Sequence, residues 1–132
     1  MSNKKLGNQF ETEFCEILAE EGFWCHNLAQ NSAGQPADVI AAKDDVPYLI
    51  DCKVCTNDIF KFDRIEENQS LAMELWHDCG NGERWFALEF SDGVYMVSMT
   101  SMRNCRNRHK SMTRDLATVY GSALRDWLWF RR

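Results

Sequence analysis

The stretch Pro36-Ala37-Asp38-Val39-Ile40-Ala41-Ala42, followed after a short polar turn by Tyr48-Leu49-Ile50-Asp51-Cys52-Lys53-Val54, decides how this chain reads. Its apolar, β-rich runs predict two strands, Asp38–Ala42 and Tyr48–Cys55, with Lys43-Asp44-Asp45-Val46-Pro47 as a hairpin connection. Side chains alternate faces along a strand, so Asp51 and Lys53 project from the same face. If the two strands pair, Asp38 joins them. Two carboxylates and an ammonium on a sheet surface can hold a divalent cation and activate a water. An isolated Asp-x-Lys is often a plain surface ion pair. Here apolar Leu49 and Ile50 lead into it, which marks the strand as central. Charges on a central strand need a reason, because burying them unpaired is costly.

Working outward, Leu6, Phe10, Phe14, Ile17 and Leu18 recur at spacings of three and four, predicting an amphipathic helix over roughly residues 5–21 that stops at Gly22. Phe23–Leu28 reads as a short strand and Ala29–Gln35 as a polar loop. A second helix is expected over Ile65–Trp76, with Ile65, Leu71, Ala72, Leu75 and Trp76 facing the core, Asp63 capping its start and Cys79-Gly80-Asn81-Gly82 ending it. Arg84–Ser91 and Val94–Met99 read as strands joined at Ser91-Asp92-Gly93, where Asp-Gly favours a tight hairpin. Residues 114–130 carry Leu116, Val119, Tyr120, Ala123, Leu124, Trp127 and Leu128 at helical spacing. This order predicts an α/β chain with a mixed sheet flanked by helices.

A length of 132 residues fits one domain, and 45% hydrophobic with 27% charged residues fits a globular chain. No apolar run approaches the roughly 20 residues that span a membrane. The start Met1-Ser2-Asn3-Lys4-Lys5-Leu6-Gly7 lacks a signal-peptide core, so a cytoplasmic protein is expected. The six cysteines, Cys15, Cys25, Cys52, Cys55, Cys79 and Cys105, then read as reduced thiols. Cys52 and Cys55 have CxxC spacing but face opposite sides of a strand, and no second pair completes a zinc set. The net charge of −5 does not by itself indicate a nucleic-acid binder. Its distribution is uneven: residues 103–132 hold eight basic and two acidic residues, leaving seven basic and eighteen acidic over 1–102. A basic C-terminal segment can track phosphates, or simply be a solvated helix face and tail.

A hard cation such as Mg²⁺ takes oxygen ligands and keeps several waters. Asp38 and Asp51 supply carboxylates, and the Cys52 carbonyl lies between the site residues. Lys53 is placed to orient an attacking water or offset developing negative charge. Glu11 and Glu13 both flank the first helix's apolar stripe, and periodicity does not choose between them.

Together these residues resemble the PD-(D/E)xK nuclease superfamily. Pro36-Ala37-Asp38 resembles the "PD" element with one residue inserted, and Asp51-Cys52-Lys53 the "(D/E)xK" element. The resemblance is closest to the small Holliday junction resolvases of archaea and the recombination-U resolvases of Gram-positive bacteria. Leu6-Gly7-Asn8-Gln9-Phe10-Glu11 is similar to their opening Gly-x-x-x-Glu, which selects Glu11. Asn31-Ser32-Ala33-Gly34 is similar to their small-residue loop, and Leu49-Ile50-Asp51-Cys52-Lys53-Val54 to their Ile-Glu-Val-Lys strand with Asp for Glu. Gln69 is similar to a helix glutamine of the Gram-positive group. The resemblance covers roughly residues 6–99. It implies a restriction-endonuclease-like fold and a single nuclease domain over residues 1–132. It also implies Mg²⁺-dependent phosphodiester cleavage, with Mn²⁺ able to substitute, by a homodimer acting on a four-way DNA junction in recombination or repair. The implied catalytic set is Glu11, Asp38, Asp51, Lys53 and Gln69. Asp38, Asp51 and the Cys52 carbonyl would hold the metal, with Glu11 reaching it through water.

Two other readings stand beside it: a restriction-type or end-processing nuclease on the same fold, and a nucleic-acid-binding module without catalysis. Trp76, Trp85, Trp127 and Trp129 fall in apolar patterns and read as core or interface. Phe60 and Phe62, beside Lys61 and Arg64, read as a strand–helix contact before a DNA-facing edge. Trp129-Phe130-Arg131-Arg132 reads as a tail that could dock on a partner subunit.

Overall fold

The computed structural model describes residues 3–28 and 37–132; the Ala29–Gln35 loop, with its Asn31–Gly34 motif, and Pro36 lie outside the described residues. Helix α1 spans Asn3–Glu20. Its end is fixed by Gly22, at φ +91°, whose N–H donates to the Ala19 carbonyl (3.1 Å) while the Phe23 N–H donates to that of Leu18 (3.0 Å). This pair of bonds needs a left-handed residue, which glycine supplies without a Cβ penalty. Phe23 and Leu18 then bury in one cluster, and the chain turns back as edge strand β1, Trp24–Asn27.

Strands β2 (Val39–Lys43) and β3 (Val46–Val54) pair antiparallel, with Val39 opposite Ile50 and Lys43 opposite Val46. The hairpin is tighter than the predicted connection of five residues. Asp44 (φ 51°) and Asp45 (φ 66°) alone make the turn, and Val46 and Pro47 belong to β3. Two successive positive φ values suit the right-handed twist of the flanking strands. Asp38 therefore stands one residue before β2, and Cys55 one residue after β3.

The chain continues through β4 (Ile59–Lys61), α2 (Glu67–Asp78), β5 (Glu83–Phe90), β6 (Gly93–Ser98), α3 (Met99–Arg108), β7 (Ser111–Thr113), α4 (Arg114–Tyr120), β8 (Ser122–Ala123) and α5 (Leu124–Trp129). Six strands form one mixed sheet in the order β1-β2-β3-β5-β6-β8, and β4 pairs with β7 separately. β3 and β5 run parallel, so α2 serves as the crossover. Ile50 and Cys52 point to the face covered by Phe10, Phe14 and Leu18 of α1 and Trp127 of α5. Leu49, Phe86 and Leu88 point to the other face, under Met73 of α2, Met102 of α3 and Ala117 of α4. The site strand is thus covered on both sides, and Cys52 and Cys55 belong to opposite cores. Phe60 and Phe62 are core residues.

Three expectations are corrected. The residue capping α2 is Glu66, not Asp63, which lies in a short helical turn before it. The buried face of α2 carries Gln69 and Met73, whereas Leu71 and Leu75 are 61% and 64% exposed. The helix is rotated so that a glutamine faces inward, where it finds hydrogen-bond partners. The predicted helix over residues 114–130 is two helices broken at Gly121, because Ser122 and Ala123 pair with Met96 and Tyr95 as the edge of the sheet. A Cβ at Gly121 would stand 2.3 Å from the Met96 carbonyl oxygen and 2.8 Å from Val97 Cγ2. Gly121→Ala is therefore expected to cost about 1–3 kcal/mol, as overpacking does, read as a lower urea midpoint. An unchanged midpoint would mean that β8 can leave the sheet freely. Met99, expected to end the strand from Val94, instead opens α3, and residues 100–113, to which periodicity assigns nothing, complete α3 and form β7; Ser98 starts α3 by accepting the Ser101 N–H (3.1 Å).

Candidate active site

Asp51 sits mid-strand on β3 with its side chain fully buried. Lys53, two residues on, faces the same way and places Nζ 3.4 Å from Asp51 Oδ2. Asp38 precedes β2; its N–H donates to the Ile50 carbonyl (3.2 Å), and its Oδ2 accepts the Cys52 N–H (2.8 Å). A side chain thus replaces a backbone carbonyl at the end of the β2–β3 ladder, bringing the two aspartates within hydrogen-bonding reach of each other. From α2, Gln69 spans the site: Nε2 donates to Asp51 Oδ1 (3.1 Å), and Oε1 accepts the Glu66 N–H (3.2 Å) at the helix start. Glu11 arrives from α1, in the opposite layer, and interacts with Asp38 and Lys53. Glu11, Asp38, Asp51, Lys53 and Gln69 are therefore one cluster. Glu13 takes no part; it accepts from Gln9 Nε2 on the exposed side of α1 (3.0 Å).

The cluster carries more negative charge than its surroundings support. Burial pushes the Asp51 carboxyl well above the ordinary carboxylate range, the adjacent Asp38 pushes the same way, and Lys53 opposes both. Glu11 is raised to about 7, first by burial and then by Asp38, against Lys53. Asp51 Oδ2 is buried without a hydrogen-bond partner. A buried carboxylate oxygen without a hydrogen bond is costly, and the Lys53 ammonium 3.4 Å away offsets that cost only in part, since the Asp51 carboxyl is still raised. Among the described residues no three acidic, histidine or cysteine side chains are gathered tightly enough to cage a metal by themselves. A hydrated ion of the Mg²⁺ type needs no cage, only one or two carboxylates beside its own waters. The buried Oδ2 without a hydrogen bond, the second aspartate and the hard-oxygen donor set fit such an ion.

These shifts have a thermodynamic consequence. An acid whose folded pKa is raised binds protons more tightly folded than unfolded, so the stability it contributes is lost as pH rises through the folded value. For Glu11 that window runs from 4.5 to about 7. The metal-free protein is expected to show a falling Tm across this window, and millimolar Mg²⁺ to restore most of the loss at its upper end. A flat profile, or no Mg²⁺ effect, would show that the carboxylates are not held under strain.

Periodicity missed two features. The Asp38 cap on the Cys52 N–H depends on where the strands part, which no local pattern encodes. The basic C-terminal segment is also divided. Arg103 pairs with Glu74, Arg114 with Asp92 (2.6 Å), Arg131 with Glu83 (3.6 Å) and Arg132 with Glu21 (3.7 Å). Arg106 and Arg108, in the last turn of α3, and Lys110 just beyond it are exposed and meet no carboxylate among the described residues.

The solved structure of Hjc from Archaeoglobus fulgidus, a Holliday junction resolvase from an archaeal hyperthermophile, matches this fold with a TM-score of 0.69 at 14% identity, covering 92% of this chain and 99% of that one. No curated protein sequence matches the chain. The mixed sheet brings two acids and a lysine together about one central hairpin, the arrangement that the PD-(D/E)xK resemblance implies. The archaeal Holliday junction resolvase (Hjc) family model matches residues 2–129. The chain belongs to that family, whose members are endonucleases acting on DNA junctions. Among the described residues no helix is long and apolar enough to cross a membrane.

Proposed function

We propose that this chain hydrolyses phosphodiester bonds of four-way DNA junctions with Mg²⁺, Mn²⁺ able to replace it, through Asp38, Asp51, Lys53, Glu11 and Gln69. The observation that carries the reading is Asp51 Oδ2, buried without a hydrogen-bond partner and 3.4 Å from Lys53 Nζ. Asp38, Asp51 and the Cys52 carbonyl would hold the ion, with Glu11 engaging it through water. When bound, such an ion lowers the pKa of a water and offsets charge on the phosphoryl oxygen. Lys53 orients the attacking water and stabilises the negative charge that develops on phosphorus oxygens. Gln69 is a positioning residue: by tying Asp51 Oδ1 to the start of α2, it leaves Oδ2 turned toward Lys53 with no hydrogen bond of its own. Arg106, Arg108 and Lys110 lie in the helical layer that also holds α2, and offer phosphate contacts without giving up an ion pair.

A four-way junction is two-fold symmetric, so a two-fold homodimer would offer each of two opposed strands one site. Exposed Trp129 and Phe130 at the end of α5, 60% and 82% accessible, would suit such a contact.

The test is a cleavage panel of wild type and Asp51→Asn on a four-way junction, a flap, linear duplex and single strand, with Mg²⁺, Mn²⁺ or EDTA. Paired symmetric nicks confined to the junction, absent in EDTA, are expected. Equal cutting of linear duplex would replace the junction with a restriction-type or end-processing substrate. Junction binding with no cleavage under any metal would leave a binding module.

A further inference from the structure

We propose that Cys15 and Cys25 form a reversible intramolecular disulfide, which makes the junction of α1 and β1 an oxidation site of this protein. The two sulfurs face each other across that junction, 2.9 Å apart, with Cys25 Sγ donating to Cys15 Sγ. Cys15 Sγ in turn donates to Asn27 Oδ1 (3.0 Å). Cys25 and Asn27 are two apart on β1 and so share the side that meets α1. Their alignment follows from the helix stop, since the Gly22 and Phe23 hydrogen bonds fix where the chain turns back. A disulfide is about 2.05 Å long, so the sulfurs need to close by roughly 0.9 Å. Both thiols are partly accessible, whereas Cys52, Cys55 and Cys105 are buried in the cores. A reagent can reach this pair without opening the fold. The mechanism of cleavage uses neither sulfur.

With hydrogen peroxide as oxidant the step balances. Cys15 sulfur attacks the terminal peroxide oxygen, the O–O bond breaks, and Cys15 becomes a sulfenic acid as one water leaves. Cys25 sulfur attacks Cys15 sulfur, and the displaced hydroxide takes the Cys25 proton and leaves as a second water. Two electrons pass from the thiol pair to the peroxide, and a dithiol reverses the bond by exchange. Glu11 stands one helical turn before Cys15 on α1, so the bond would pin the Glu11 helix to the sheet edge.

The experiment needs no nuclease assay, so its outcome is separate from that of the cleavage reading. The full chain is treated with hydrogen peroxide and then unfolded in guanidinium chloride so that the buried Cys52, Cys55 and Cys105 also react, its remaining thiols are capped with N-ethylmaleimide, and intact mass and peptide maps are recorded. Four of the six cysteines should be capped, with one peptide linking Cys15 to Cys25. Dithiothreitol should return all six, and the oxidised form should melt at a higher temperature than the reduced one. Cys79→Ser should keep the linked peptide and Cys15→Ser should lose it. Six capped cysteines after peroxide, oxidation confined to exposed Cys79, or a link between other cysteines would overturn the proposal. If Cys15→Ser does not fold, the wild-type peptide map decides alone.

Discussion

Asp51→Asn is expected to lower junction cleavage by about 10³-fold or more, the scale of removing a central electrostatic group from an active site, and to leave the metal-free protein at least as stable as the wild type. The two effects have one cause. Asp51 is buried, its Oδ2 has no hydrogen-bond partner, and Asp38 lies beside it. Asparagine keeps the oxygen that accepts from Gln69 Nε2, and its uncharged amide where Oδ2 stood leaves the Lys53 ammonium to offset the remaining charge of Glu11. The like-charge penalty disappears, and with it the atom that would bind the ion. Cleavage rates and urea unfolding in EDTA, measured on one preparation, give both readouts. The Mg²⁺-dependent rise in Tm should vanish as well. Retained cleavage would show that hydrolysis does not pass through this carboxylate.

Lys53→Ala is expected to slow cleavage by about 10²–10³-fold, yet to destabilise the fold by less than the roughly 3–5 kcal/mol typical of a broken buried pair. Lys53 Nζ opposes the upward shifts of both Asp51 and Glu11. Without it those carboxyls move further up and take protons instead of standing as unpaired charges. The fall in metal-free Tm with pH should therefore extend to higher pH than in the wild type. Loss of cleavage with an unshifted pH–Tm profile would give Lys53 a role toward DNA and none toward the carboxylates.

The site was legible in the sequence because its parts obey local rules. Asp51 and Lys53 share a face through strand alternation, and the Asp-Asp turn is short enough to force Asp38 back onto them. Glu11 could not be separated from Glu13 by periodicity, since both border one stripe; the family resemblance separated them, and the structure places Glu11 against Asp38. The α2 face was misread because hydrophobicity outvoted hydrogen bonding: Leu71 and Leu75 are the apolar choice, but Gln69 has a buried partner and turns the helix. The break at Gly121 was hidden for a different reason. Helical spacing runs straight through it, and only the approach of Met96 from a distant strand demands it.

The buried acid cluster also changes what DNA meets from outside. The formal charge of −5 counts Glu11, Asp38 and Asp51 in full, but an ion of charge two at the site would bring it to −3. The field met by a phosphate backbone is then set locally, by Arg106, Arg108 and Lys110, whose charge no carboxylate consumes among the described residues. Three cations displacing condensed counterions give a slope of log affinity against log salt of about −2.7 per protomer. Junction binding titrated from low to moderate salt should show that slope, and removing the three cations together should flatten it. With three of its carboxylates enclosed around such an ion and three cations left free at one helix end, an acidic protein would in this way hold a polyanion.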